Sequence, residues 1–80
     1  MKKLNNCILK IQEEHGEFVT YCHAWVDGGN VVALEPFKVD MEGTRNFMNR
    51  ISGKELSSLE YELEVYDHND EIIDVLEGGK

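Results

Sequence analysis

The feature that most constrains the fold is a strict alternation of apolar and acidic residues near the end of the chain. Four apolar residues alternate there with three glutamates: Leu59, Glu60, Tyr61, Glu62, Leu63, Glu64 and Val65. Successive side chains leave a strand on opposite sides, so a period of two is typical of a half-buried β-strand. We therefore predict a strand from Leu59 to Tyr66 that turns one side to a core and presents a row of carboxylates on the other.

The net charge of −8 is concentrated at the same end of the 80-residue chain. Residues 1–54 carry seven acidic and seven basic groups, whereas residues 55–80 carry nine acidic groups against Lys80 alone. Such a localised negative field repels nucleic acid and attracts basic partners. Excess charge also keeps a small protein soluble and monomeric, and this simpler role stays open.

The length predicts one domain covering residues 1–80. No apolar run approaches the ~20 residues that span a bilayer, and the basic start Met1-Lys2-Lys3 is not followed by the apolar stretch of a secretory signal. Two cysteines are too few for a disulfide scaffold and indicate reduced thiols. We therefore expect a cytoplasmic protein with no membrane contact.

The first half of the chain predicts strands joined by tight turns. Cys7 to Gln12 alternates, and Phe18 to Val26 is rich in aromatic and β-branched residues, as strands are. Glu14-His15-Gly16 predicts a three-residue hairpin loop that sets Cys7 opposite His23.

A second turn is predicted at Asp27-Gly28-Gly29-Asn30, because adjacent glycines accept positive φ. With Gly28-Gly29 as the loop, Trp25 faces Val32 on a third strand. The two turns together predict a bulky apolar face that we assign to the core: Cys7, Leu9, Ile11, Val19, Tyr21, His23, Trp25, Val32 and Leu34. A one-residue change in either turn would exchange the two faces of a strand.

The other face of these strands carries small and apolar residues that one short helix cannot cover as well. We expect five of them to be partly exposed: Phe18, Ala24, Val26, Val31 and Ala33. An uncovered apolar face indicates a partner or a second copy of the chain, so these five are candidates for self-association as a homodimer.

One amphipathic helix is predicted from Met41 to Ile51, with Asp40 as its N-cap and Gly53 at its C-terminal end. Pro36 cannot donate to a strand ladder, so the third strand is expected at an edge of the sheet or to end there.

The residues after Tyr66 predict a turn and one further element. With His68-Asn69-Asp70 as the loop, Val65 faces Ile73 and Glu64 faces Asp74 on a last strand. The alternative is a short helix from Glu71 to Glu77, and we favour the strand. The complete prediction is an α+β fold, a small antiparallel sheet of about five strands with one helix packed on a face, in the order β-β-β-α-β-β.

No motif indicates catalysis, a metal site or a cofactor. Cys7 and His23 would form a thiolate–imidazole pair only with an orienting third group, and we interpret them as core residues. Glu62, Glu64 and Asp74 are the best set for weak binding of a divalent cation, but ligand spacing typical of a metal site is missing. We therefore expect no enzyme activity, no metal and no cofactor.

The acidic segment is the strongest functional candidate. We identify its candidate partner-binding residues as Glu60, Glu62, Glu64, Tyr66, Asp67, Asp70, Glu71 and Asp74. Carboxylates on one side of a strand recur at roughly 6.6 Å, whereas a duplex carries a charge every ~1.7 Å, so the turn and last strand must add charge before the segment imitates nucleic acid. A solvated sheet face is the simpler alternative.

In size and charge the chain resembles the small inhibitors that phages and mobile elements use against host nucleases, such as anti-CRISPR and anti-restriction proteins. The resemblance implies a module that binds a basic, nucleic-acid-binding protein rather than nucleic acid itself. The alternative is a structural or adaptor protein that dimerises through a sheet face.

Overall fold

The chain folds into a five-stranded antiparallel sheet and one α-helix over the residues that the computed structural model describes, which are 1–52 and 55–78. The strands are β1 (Lys2–Glu13), β2 (Gly16–Asp27), β3 (Asn30–Pro36), β4 (Tyr61–Tyr66) and β5 (Ile72–Gly78). The helix α1 (Glu42–Ile51) and a 3₁₀ turn (Leu56–Ser58) connect β3 to β4. The predicted element order is confirmed, and the last element is a strand.

The spatial order β3-β2-β1-β4-β5 puts β1 at the centre and β3 at an edge, as Pro36 predicts. The alternation of β1 and β4 decides the two faces of the sheet. Leu9, Ile11 and Leu63 are fully buried on the side that we call the helix face. Lys10 and Glu62 are paired across the opposite side, which we call the open face.

The core lies between the helix face and α1. Met48 and Ile51 of α1, with Leu56 of the 3₁₀ turn, are fully buried against the sheet. Phe47 meets Phe18 of β2 edge to face, with ring centroids 4.9 Å apart. Each of the three fully buried side chains stabilises the fold by roughly 1.5–3 kcal/mol.

Strand β2 turns the side opposite to the predicted one toward the core. The β1–β2 hairpin has a two-residue loop, because Glu13 pairs with Gly16, and Cys7 therefore lies opposite Cys22 rather than His23. This one-residue difference turns Thr20, Cys22 and Ala24 toward the core. It turns four bulky residues to the open face: Val19, Tyr21, His23 and Trp25.

Two bulges change the registers that the turns predict. The Gly28-Gly29 turn is correct, since Asp27 pairs with Asn30, but a bulge at Val32 of β3 sets Trp25 opposite Ala33 instead of Val32. The β4–β5 turn is also correct close to Tyr66. A bulge at Ile73 then sets Val65 opposite Asp74, so the predicted pair of Glu64 and Asp74 is wrong.

The candidate self-association residues do not form an exposed face. Ala24 and Val31 are buried in the core, and Phe18 and Val26 are half-buried against it. Ala33 alone of the five pairs with a residue of the open face, Trp25. The exposed apolar face predicted from these five residues therefore does not form, because the β1–β2 register turns most of it under α1.

The helix begins one residue later than predicted. Met41 occupies the N-cap position without a side-chain cap, and Asp40 lies outside the helix. Ser52 is the C-terminal cap residue, and Gly53, the predicted C-terminal glycine, lies outside the described residues. Ser52 also fastens the helix to the sheet, because its Oγ accepts the backbone N–H of Leu34 at 2.9 Å.

Tyr61 of β4 contacts both edge strands, β3 and β5, on the helix face. Its hydroxyl accepts the backbone N–H of Val31 at 3.3 Å, and its ring passes close to Gly78 of β5. A Cβ at Gly78 would lie 2.6 Å from the Tyr61 hydroxyl oxygen, so this close approach requires glycine.

Candidate functional site

The open face combines exposed apolar side chains with carboxylates. Its central members are Ile8, Lys10, Val19, Tyr21, Glu62, Glu64, Tyr66, Val75 and Glu77. Val19 and Tyr21 are 52% and 51% exposed, and Val75 is 43% exposed. A sheet face with apolar residues this accessible, rimmed by charge, is typical of a binding surface.

Glu64 is the best-bonded carboxylate on this face. It accepts a hydrogen bond from the Tyr66 hydroxyl at 2.9 Å and forms an ion pair with Lys10 Nζ at 3.1 Å. The hydrogen bond from Tyr66, with a smaller contribution from Lys10, lowers the pKa of Glu64 below its ordinary value. The same carboxylate raises the pKa of Tyr66 and that of Lys10. These bonds leave Glu64 rigid and its charge partly compensated.

Glu62 and Glu77 have a different environment. They lie directly opposite each other on β4 and β5, and among the described residues neither forms an ion pair with a lysine or arginine. Like charges directly opposite in a sheet are destabilising. Both line a cleft of about 550 Å³ with Glu60 and Lys10, and Lys10 is engaged by Glu64. Lys10 also lies directly opposite Glu62 across β1 and β4, so this end of the open face carries three carboxylates beside one lysine and has excess negative charge.

The structure brings together some of the predicted partner-binding residues. Glu60, Glu62, Glu64 and Tyr66 lie along one side of the sheet. Of the others, Asp70 borders the end of that face beside Tyr66, whereas Asp74 lies on the helix face.

Asp67, Asp70 and Glu71 form the β4–β5 turn, where the Asp67 carboxylate accepts the N–H groups of Asn69 and Glu71. Asp74 pairs with the core residue Val65 and so belongs to the helix face. The candidate cation set Glu62, Glu64 and Asp74 is therefore divided between two faces. Within the described ranges no group of three or more potential metal ligands occurs.

Sequence reasoning missed Val19, Tyr21 and Val75 as open-face residues and did not pair Glu77 with Glu62. Val19 and Tyr21 belong to the bulkier set on their strand, which the sequence assigns to the core, and the register of the predicted last turn places Val75 on the core side. The pairing of Glu77 depends on the bulge at Ile73, for which the sequence carries no turn residue.

Cys7 and Cys22 are free thiols that lie opposite each other in the core. Burial raises the pKa of Cys7 to about 11. Burial, with a smaller effect from Cys7, raises the pKa of Cys22 to about 12. Both thiols stay protonated at neutral pH and are poor nucleophiles there. The predicted partner His23 lies on the other face of the sheet, so the thiolate–imidazole pair does not form.

Comparison of the chain with protein-family models, with curated proteins and with solved structures finds no match. No helix in residues 1–52 and 55–78 has the length and apolarity needed to cross a membrane.

Proposed function

We propose that the protein is a non-enzymatic binding module whose open face occupies a basic, nucleic-acid-binding surface of another protein. The like-charge pair of Glu62 and Glu77, at the end of the open face with excess negative charge, carries the proposal. Like charges directly opposite each other cost stability, and this pair lies on the sheet face that α1 does not cover. A basic partner would relieve the repulsion on binding.

The surrounding apolar residues supply what a charged patch alone lacks. Val19, Tyr21 and Val75 are exposed beside the carboxylates. Charge complementarity accelerates association and selects partners, whereas buried aromatic and aliphatic anchors provide most of the affinity. The combination supports a protein partner rather than a solvated face.

The proposed partner is a nucleic-acid-binding protein, because such proteins carry the basic grooves that this face complements. The module would then act as an inhibitor, of the kind that phages and mobile elements direct against host nucleases, and would work in the cytoplasm. Self-association through the open face is disfavoured, because it would bring together two surfaces that both carry excess negative charge.

The experiment is a capture from extract with three matched baits, eluted by a salt gradient. The baits are the wild type, Glu62→Lys with Glu77→Lys, and a control carrying Asp27→Lys with Glu42→Lys. Both variants change the net charge equally, and the control residues are exposed, at the β2–β3 turn and at the start of α1. The first variant keeps a like-charge pair between β4 and β5 but also sets a lysine opposite Lys10, so thermal unfolding of each bait is measured before the capture.

We expect the wild type and the control to retain a basic protein that moderate salt releases, and the open-face variant to lose it. Equal retention by all three baits would show that the acidic face provides solubility alone.

A further inference from the structure

A second cleft, of about 290 Å³, lies at the opposite end of the open face. Three aromatic residues line it: Tyr21 of β2, Phe37 after β3, and Tyr66 of β4. Its rim is completed by Asn6, Lys38 and Asp70, which come from the bulge in β1, the chain after β3 and the β4–β5 turn. Three strands and two connecting segments therefore converge on one aromatic-walled space.

The three rim residues have an unusual backbone. Asn6, Lys38 and Asp70 have φ values of 58°, 56° and 61°, and they are the three non-glycine residues with positive φ in the described part of the chain. Asn and Asp tolerate this conformation, whereas Lys is seldom found in it. Strained residues tend to collect at binding sites, where the surrounding structure holds them. All three border the same cleft.

The walls are fixed before any ligand arrives. The backbone N–H of Asn6 donates to Nδ1 of His23 at 3.3 Å, and the His23 ring stacks on Phe37 with centroids 4.2 Å apart. On the other side, the hydroxyl of Tyr66 donates to Glu64 at 2.9 Å. Walls that are already ordered lower the entropic cost of binding.

The cleft favours a cation. The ammonium of Lys38 lies 5.2 Å from the ring centroid of Phe37 and 6.0 Å from that of Tyr21, so the chain's own cation already stands over two of the rings. The faces of aromatic rings attract positive charge. Asp70 is exposed at the rim, and the neighbouring carboxylates of Glu64 and Asp67 would repel an anion.

We propose that this cleft receives the guanidinium group of an arginine side chain of the partner, which displaces Lys38. The inference rests on the proposed function and names the anchor by which a basic partner is held. A planar guanidinium stacks on aromatic rings and pairs through two hydrogen bonds with a carboxylate such as that of Asp70. A lysine ammonium has no planar group that stacks on a ring and no pair of parallel N–H donors that match a carboxylate. Lys38 is exposed, so its side chain can leave the rings at little cost.

The test is an NMR titration of the ¹⁵N-labelled chain with N-acetyl-arginine amide. N-acetyl-citrulline amide, its neutral isostere, and N-acetyl-lysine amide serve as comparisons. We expect saturable shifts at Asn6, Tyr21, Phe37, Tyr66 and Asp70 with the arginine compound, and clearly weaker binding of the other two. Citrulline binding as tightly as arginine would overturn the proposal, as would shifts that do not saturate or that spread evenly over the acidic segment.

Three variants sharpen the result. Asp70→Asn keeps a residue that tolerates the left-handed backbone and removes the carboxylate, so arginine should bind roughly 10-fold more weakly. Lys38→Asn removes the competing cation and should tighten binding. Asp74→Asn removes the same charge as Asp70→Asn from the helix-face side and should have no effect. Unchanged affinity in Asp70→Asn would contradict the assigned site.

The two proposals fail separately. A partner captured through Glu62 and Glu77 by a chain that does not bind arginine would overturn the arginine site alone. Arginine binding without loss of the partner on reversing Glu62 and Glu77 would overturn the acidic-face proposal alone.

Discussion

Glu64 joins three strands of the open face through its side chain and its backbone pairing. It lies on β4 between Ile8 of β1 and Val75 of β5, and its carboxylate holds Lys10 and Tyr66. Because these donors favour the ionised form, the pKa of Glu64 in the folded state lies below its unfolded value. The resulting stabilisation is present at neutral pH and is lost as pH falls through the ordinary carboxyl range.

Glu64→Gln should remove this part of the acid dependence. We expect the free energy of unfolding at neutral pH to fall by roughly 1 kcal/mol, and the difference from the wild type to shrink as pH is lowered. Urea unfolding across the acid range measures both. In the same variant the pKa of Tyr66 should decrease toward its ordinary value. Tyrosinate absorbance measures this pKa, and the variant Tyr66→Phe identifies which part of the absorbance change belongs to Tyr66. An unchanged tyrosine titration would contradict the hydrogen bond to Glu64.

At the scale of the elements, β2 presents two faces that are both apolar enough for a core. The smaller set lies under the helix, where Thr20 Oγ1 is 3.8 Å from Met48 Sδ and Cys22 and Ala24 are fully buried. Small residues let α1 approach the sheet closely, which explains why the bulkier set is turned outward. Bulk alone is therefore a poor guide to the buried face when a helix must pack on it.

A pair of aspartate substitutions tests this orientation. Val19→Asp should change the free energy of unfolding by no more than about 1 kcal/mol, because Val19 is exposed on the open face. Thr20→Asp should cost more than about 3 kcal/mol, because it places a carboxylate in the core. The three-residue β1–β2 loop predicts the reverse order, so denaturant unfolding of the two variants decides between the registers.

The sequence predicts the elements of this fold better than their registers. The alternation of β4, the Gly28-Gly29 turn and the helix are all predicted, because periodicity and turn chemistry are local properties. The bulges at Val32 and at Ile73 are not, since neither is marked by glycine. Each shifts one strand by a residue and exchanges its faces, and the candidate site changes with it. Leu34 is nevertheless predicted correctly in the core. The wrong β1–β2 loop length and the bulge in β3 each shift a register by one residue, and for Leu34 the two shifts compensate.

On each edge strand of the sheet, one backbone N–H donates a hydrogen bond to a side chain of the chain itself. On β3 the N–H of Leu34 donates to Ser52, and on β5 the N–H of Val75 donates to the carboxylate of Asp74 at 2.9 Å. Natural sheets use such devices to prevent edge-to-edge pairing. Asp74, predicted as a partner-binding residue, thus has a local structural role that the sequence does not reveal.

At the scale of the whole molecule, the proposed function gives the unfavourable pair of Glu62 and Glu77 a role in binding. Glu77→Lys places a lysine opposite Glu62 and converts repulsion into attraction. We expect the free energy of unfolding to rise by roughly 0.2–1 kcal/mol and partner affinity to fall. Thermal or urea unfolding, measured with capture by the same variant, checks both. A variant that is more stable and binds equally well would remove the functional reason for the pair.

The concentration of charge in residues 55–80 is evident in the sequence, and a charged face was predicted from it. The uncovered apolar residues beside that charge were not, because they depend on the orientation of β2 and β5. The proposed partner surface therefore depends both on the local charge pattern, which the sequence shows, and on the registers of β2 and β5, which tertiary packing decides.

The most direct test of the central claim is a competition measurement on the captured partner. Labelled nucleic acid is bound to that protein, and fluorescence anisotropy is followed as the chain is added. We predict that the wild type and the variant with Asp27→Lys and Glu42→Lys displace the nucleic acid, and that the variant with Glu62→Lys and Glu77→Lys does not. A partner that holds the chain and its nucleic acid together, or equal displacement by all three, would contradict the proposed occupation of a nucleic-acid-binding surface by the open face.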